Sequence, residues 1–411
     1  MTGSETVESA TPPALSLGGR LIILGGSILL TLSVVSVQPV LPQIERALAI
    51  TDTDKLLVKM LVSIMGVTMV LGAPLSGLLA DRIDLKKLLA GFGLLYAVAG
   101  TSGFYLTNLY ALLASRLLVG LAAAGVATLS IAFVNKRLEG NARARWIGYH
   151  VSVAMLSSLV AYPLVGYLGN VGWRLTFVVY LFGLILAALA IFGLGDEGNV
   201  QTTREVAHAN DANPLRWFPR WFVPLALAMG TITFAPGVYL PFLVRDIGVG
   251  LPSTVAWLML GDAVVGATMS FMFGRWQPHF PGYTTFMVCF GGSAVGLLII
   301  ALSHSMTGIV IGTLGYGVGI GWFTASLITF LSRRVTQGQQ GRAVGFAKGF
   351  HYLAAPTCLL VLEPISRSFG PRGAIMALAI LGFAVVAVFI ALSIRPARAD
   401  IDDGEAIAPA E

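Results

Sequence analysis

Twelve apolar stretches of helix length recur along this chain at a nearly even interval, and they commit most residues between Leu21 and Ile394 to a lipid bilayer. A hydrocarbon core about 30 Å thick needs roughly 20 apolar residues per crossing helix, and only backbones that close their own hydrogen bonds survive in it. The expected spans are 21–43, 57–80, 88–106, 109–134, 146–168, 175–195, 221–243, 253–273, 283–303, 308–331, 343–365 and 374–394. Hydrophobic residues make up 56% of the 411-residue chain and charged residues 11%, where a soluble domain carries about a quarter charged residues.

The net charge of +6 does not gather into a patch of the kind that binds nucleic acid. The basic residues sort by side instead. With a cytoplasmic N-terminus, 17 lysines and arginines fall on the inner side and 7 on the outer, the latter being Arg46, Lys55, Lys59, Arg174, Arg245, Arg367 and Arg372. Besides Lys59, counted with the outer side at the edge of span 57–80, only Arg116 and Lys348 lie inside spans. This positive-inside bias predicts a multi-pass protein of a bacterial-type cytoplasmic membrane with both termini in the cytoplasm. The first 20 residues carry Glu5 and Glu8 and no early basic cluster, unlike a cleaved signal peptide. Cys289 and Cys358 both fall in spans and read as small apolar packing residues.

The longest polar interruption divides the spans six and six. The predicted organisation is a tail over 1–20, a six-helix bundle over 21–195, a cytoplasmic linker over 196–220, a second bundle over 221–394 and a tail over 395–411. An offset of about 197 positions pairs Pro39 with Pro236, Gly77 with Gly274, Gly120 with Gly317, Arg145 with Arg342 and Gly148 with Gly345. Such self-similarity marks an internal repeat. An even number of helices per half makes the repeat parallel, an arrangement that surrounds a central cavity and opens it alternately to each side.

The loop after the second span runs Gly77-Leu78-Leu79-Ala80-Asp81-Arg82-Ile83-Asp84-Leu85-Lys86-Lys87-Leu88-Leu89, which resembles the signature loop of the major facilitator superfamily, G-x-L-A-D-R-x-G-R-K-x-x-L. Asp84 and Leu85 depart from that pattern. Three further stretches are similar to motifs of the superfamily's twelve-span drug:proton antiporters: Pro39-Val40-Leu41-Pro42 in helix 1, Arg116 to Gly120 in helix 4, and Tyr162-Pro163-Leu164-Val165-Gly166-Tyr167 in helix 5. In the last, tyrosines stand at both flanking glycine positions, leaving Pro163 and Gly166. The resemblance implies an all-α membrane fold of twelve helices in two pseudo-symmetric six-helix bundles. It also implies a gate built from Gly77, Asp81, Arg82 and Lys86, with Asp81 touching the start of helix 11.

Of 20 acidic residues only Asp262 and Glu363 fall within spans, where ionisable groups are costly and mark function. Asp262 lies mid-span in helix 8, either titrating a proton or ion-paired with another helix, and Glu363, near the outer end of helix 11, faces interfacial water or joins the proton route. Arg116 either faces the cavity or braces helices through backbone carbonyls. Lys348, His351, Tyr352 and Ala355 follow i, i+3, i+4, i+7 and share one face of helix 11; His351 offers a second proton route, and Lys348 suits an anionic or zwitterionic substrate or snorkels to the surface. Gln38, Thr31 and His150 are candidate substrate contacts or packing groups.

No metal-ligand helix of the H-E-x-x-H type and no nucleophile elbow is present, which argues against an enzyme. The expected function is proton-coupled export of a small organic solute or drug, with the proton gradient in place of a cofactor, the lipid bilayer as surroundings and a single chain as the working unit. Proton-linked or facilitated uptake of an organic anion is the alternative, and a non-transporting receptor or scaffold is the competing class.

Overall fold

The computed structural model describes residues 15–80, 82–195, 218, 221–280, 283–332 and 340–394. Every regular element among them is helical, and eleven are long and apolar enough to cross a membrane. Helix 1 is Leu17–Leu48, helix 2 Asp52–Ala80, helix 3 Leu85–Phe104, helix 4 Leu109–Arg137, helix 5 Gly140–Val171 and helix 6 Trp173–Gly193. Helix 7 is Phe222–Asp246, helix 8 Pro252–His279, helix 9 Tyr283–Leu302 and helix 10 Met306–Ser332.

The expected helices 11 and 12 form one hydrogen-bonded element, Gln340–Ile394, which Gly370 interrupts with φ +71° and ψ −178°. Glycine adopts that backbone at no steric cost. Chain direction reverses there. Past the break, Arg372 donates from Nη1 to the carbonyls of Ala301 (2.7 Å) and Ser303 (2.5 Å) at the end of helix 9, while Phe389 reaches Phe286 near that helix's start. Segments 340–369 and 371–394 therefore serve as helices 11 and 12.

Several helices begin before their apolar runs because polar caps start them. Thr51 accepts from the Asp54 amide while the Asp54 carboxylate accepts from the Thr51 amide, a capping box that opens helix 2 at Asp52 rather than at 57. Helix 1 starts at Leu17 under a Ser16 cap and, after a 3-10 turn at Gln38–Val40, continues to Leu48. Glu45, beyond the expected end of helix 1, and Lys59, counted with the outer-side charges, both belong to helices. Of the expected linker 196–220 only Phe218 is described, and the tail 395–411 lies outside the described residues.

The repeat is visible as packing. A Cβ on Gly120 would come within 2.8 Å of the Met65 carbonyl oxygen and 2.4 Å of Thr68 Oγ1, locking helix 4 against helix 2. A Cβ on Gly317 would come within 2.6 Å of the Asp262 carbonyl oxygen and 3.1 Å of Val265, locking helix 10 against helix 8. Each residue of the second set lies 197 positions after its counterpart in the first. A second equivalence joins the outer loops: Arg174 Nη1 donates to Leu106 O (2.9 Å) and Phe104 O (3.1 Å) past helix 3, as Arg372 does past helix 9. Both guanidiniums satisfy carbonyls that a helix C-terminus leaves without partners.

Candidate functional site

Call the end of the molecule carrying residues 17, 193, 222 and 394 the near end. At the opposite, far end the two halves are tied together. Arg245 Nη1 of helix 7 donates to Glu45 Oε1 of helix 1 at 2.9 Å. Lys59 Nζ of helix 2 donates to Glu363 Oε2 of helix 11 at 2.8 Å, with Tyr239 Oη and Arg367 Nε also on that carboxylate at 3.5 and 3.4 Å. Asn170 and Ser253 exchange two hydrogen bonds between helices 5 and 8. Among pairs of described residues, the hydrogen bonds and ion pairs joining the halves all lie at this end. Gly166 of the antiporter-like motif belongs to the same seal, since a Cβ there would come within 2.7 Å of Ala256 Cβ and 2.9 Å of Ser253 Cα. Toward the near end no hydrogen bond or ion pair between described residues joins the halves, and Tyr149, Met155, Leu156 and Leu159 of helix 5 are exposed.

Beneath the seal a cavity of about 70 Å³ lies between the halves, lined by Gln38 and Tyr162 from the first half and by Thr233, Met259, Asp262, Thr313 and Tyr316 from the second. Two predicted residues, Asp262 and Gln38, meet here. Tyr162 donates from Oη to Gln38 Oε1 at 3.3 Å, and Tyr316 donates to the carbonyls of Ile232 (3.1 Å) and Thr233 (3.2 Å) in helix 7. Asp262 has no ion-pair partner among the described residues, so the ion-paired alternative is not the arrangement found. Asp262 shares the cavity wall with two phenols and an amide, none of which supplies a charge, and both phenol protons are already given to Gln38 and to helix 7 carbonyls. Sequence reasoning does not reach the phenols: Tyr162 stands out only as a departure from a motif, and Tyr316 sits in a glycine-rich helix that suggests packing alone.

Helix 11 carries the second cluster. Lys348 is exposed and makes no ion pair among the described residues. The half-buried His351 ring lies 5.2 Å from Phe234 of helix 7, 5.7 Å from Phe323 of helix 10 and 6.1 Å from Tyr352 (centroid distances). His351 Nδ1 has no hydrogen-bond partner among the described residues. This face of helix 11 meets the other half: a Cβ on Gly66 of helix 2 would touch the Tyr352 carbonyl oxygen at 2.6 Å and Ala355 Cβ at 3.0 Å.

Other predicted residues lie elsewhere. Arg116 is fully buried inside the first half, donating to Tyr180 Oη (2.7 Å) and Gly100 O (3.0 Å), with its guanidinium 5.0 Å from the Phe177 ring. It is the interhelix brace, not a cavity wall, because carbonyls near the end of helix 3 and a phenol of helix 6 converge on it. Removing it strands those groups in a dry interior, so Arg116→Ala should lower stability by about 3 kcal/mol, read as a fall in melting temperature with substrate affinity unchanged in the folded fraction. Unchanged melting with weakened substrate binding would return Arg116 to the cavity.

Thr31 donates to Ala154 O at 3.0 Å and His150 Nδ1 lies 2.7 Å from Ile23 O, so both pack helix 1 against helix 5 rather than lining the cavity. Glu363 does not face interfacial water; it is buried in the far-end seal, because Lys59 of helix 2 pairs with it across the halves. Pro163 lies inside helix 5, half-buried. In the signature loop Gly77 and Arg82 are exposed, Lys86 is half-buried, and Asp81 lies outside the described residues.

The sequence profile described as the Major Facilitator Superfamily matches residues 23–357. The chain belongs to this superfamily. Members of the major facilitator superfamily are transporters, and this chain is a transporter rather than an enzyme. It is 24% identical to multidrug resistance protein 1 of Bacillus subtilis (strain 168) over 322 residues, 76% of this chain and 80% of that protein. It is 29% identical to the bacillibactin exporter of the same organism over 166 residues, a match taking in 38% of this chain and only 36% of that protein's length. The fold is similar to the crystal structure of a D-xylose-proton symporter, with a TM-score of 0.72 at 12% identity over 90% of this chain and 96% of that one.

Proposed function

We propose that this major facilitator superfamily transporter exports a small organic solute in exchange for protons, its halves rocking about the Asp262 cavity. The observation that carries the reading is a carboxylate bordering a cavity between the halves without an ion-pair partner among the described residues. An ionised Asp262 holds an uncompensated charge, and enclosing such a charge away from water is costly. A proton removes the charge, so the protonated form closes readily and the ionised form keeps the cavity open to water or to substrate. That difference is what couples proton movement to rocking. The basic residues of the near-end loops and tails give a cytoplasmic near end, which makes the sealed far end the outer one and this state inward-open. An exporter and a multidrug resistance protein among the relatives support the outward direction.

Proton-linked uptake of an organic anion is the second reading, and Lys348, which has no ion pair among the described residues, favours it. Vesicle direction separates the two. In inverted membrane vesicles made acid inside, an ethidium and organic-acid panel should contain a compound that accumulates in the lumen and makes it more alkaline, with both effects lost on adding a protonophore. Accumulation confined to right-side-out vesicles, or unaffected by the protonophore, contradicts proton-coupled export.

A further inference from the structure

Resting on that transport reading, the face of helix 11 that looks across to the other half carries a binding site with a definite ligand chemistry. Lys348, His351, Tyr352 and Ala355 share that face. Ala355 and the Tyr352 backbone close against Gly66, and one turn nearer the near end a Cβ on Gly349 would still reach Val70 of helix 2 at 3.8 Å. Lys348 stands on the same stripe one turn before Tyr352, where this contact with helix 2 runs out, which places it beside the space between the halves. An exposed ammonium with no carboxylate paired to it among the described residues is a cation waiting for an anion.

The surroundings narrow that anion. Phe234, His351 and Tyr352 are half-exposed, and their rings stand 5.2 to 6.1 Å apart. Phe323 lies behind and stacks on His351 at an interplanar angle of 25°. Such rings offer flat apolar faces at the spacing of roughly 4.5 to 7 Å typical of aromatic pairs. On helix 7 the shelf's Phe234 is the neighbour of Thr233, which lines the Asp262 cavity. Gly230 packs against Ala354 and the His351 carbonyl oxygen, which sets the register of helices 7 and 11. Lys348 then lies about 10 Å along the axis from Thr233, at about 1.5 Å per residue.

We infer that Lys348 and the rings of Phe234, His351 and Tyr352 form a loading subsite for an aromatic organic anion, the anionic group pairing with the ammonium and the ring lying on the aromatic shelf. From the near-end opening the bound anion needs to move only two turns to reach the Asp262 cavity.

The test is calorimetric titration of the purified full chain with benzoate, 2-naphthoate, cyclohexanecarboxylate and benzylammonium. Benzoate and 2-naphthoate should bind, at least tenfold more weakly in Lys348→Met and near wild type in Lys348→Arg. Phe234→Leu should weaken 2-naphthoate more than cyclohexanecarboxylate. No binding of either aromatic carboxylate, equal binding of benzylammonium, or wild-type affinity in Lys348→Met overturns the assignment. So does displacement by Lys348→Met of soluble short-chain phosphatidylglycerol alone, which makes the lysine a headgroup anchor. Melting temperature checks that each variant is folded. Because titration uses no gradient, benzoate binding that persists in a protein lacking proton-driven transport fails the exchange reading and leaves the subsite standing, and the converse fails only the subsite.

Discussion

Asp262→Asn should yield a folded transporter that exchanges substrate downhill but accumulates none uphill, with pH-driven transport at the level seen with a protonophore. Asparagine matches the aspartate in shape and keeps hydrogen-bonding capacity toward Tyr162 and Tyr316, which line the same cavity. It cannot take up or release a proton. Since Asp262 has no ion pair among the described residues, the substitution breaks none, and melting should move little. The variant thus separates coupling from folding, which few single changes in a membrane helix do. Counterflow of labelled substrate without a gradient, measured beside gradient-driven uptake in inverted vesicles, distinguishes the two activities. Full pH-driven accumulation by the variant removes Asp262 from the proton route and turns attention to His351.

The far-end seal predicts the second large effect. Lys59 and Glu363 retain only 11% and 7% of their side-chain exposure, so the pair is held almost dry. Removing one member of such a pair costs about 3 to 5 kcal/mol because the other is left charged and unpaired. The penalty exists only while the seal is closed, since opening returns the orphan to water. Lys59→Ala should therefore favour the state open at the far end. About 2.7 kcal/mol takes a 99:1 population to even, half of what full reversal requires. The double variant Lys59→Met, Glu363→Leu should do the opposite, because apolar partners hold the seal without any desolvation cost, and turnover should slow. Outer-side accessibility of a cysteine introduced at Thr233, in the cavity wall, reads both changes. Equal accessibility in all three proteins shows that the pair does not hold the gate.

The helices are legible in the sequence because apolar length reports bilayer crossing directly, and the repeat is legible because Gly120 and Gly317 occupy close crossings where nothing larger fits. Asp262 stands out by scarcity: a carboxylate inside a span is too costly to be incidental. The same cost argument misplaces Arg116, because it cannot distinguish a charge facing water from one wrapped in carbonyls and rings. Lys59 escapes it because it stands at the outer edge of the expected span 57–80, where it counts with the outer-side charges, and its partner Glu363 lies 304 positions away in sequence. Gly166 is readable as part of a motif, but its reason lies in helix 8 of the other half, far away in sequence. Tyr162 shows only as a departure from a motif and Tyr316 not at all, since phenols are common in spans and only the folded chain brings both to the wall of the Asp262 cavity.

The central claim is that the two halves rock about a shared cavity, closing one end as the other opens. Spin labels on cysteines at Ile50 and Leu251, exposed far-end positions of opposite halves, read that motion as a distance distribution by double electron-electron resonance. Wild-type protein should give a dominant short distance matching the sealed far end, and Lys59→Ala should add a longer one at its expense. A single distance, unchanged by Lys59→Ala, by pH and by bound substrate, would contradict rocking and, with it, proton-coupled alternating access in this protein.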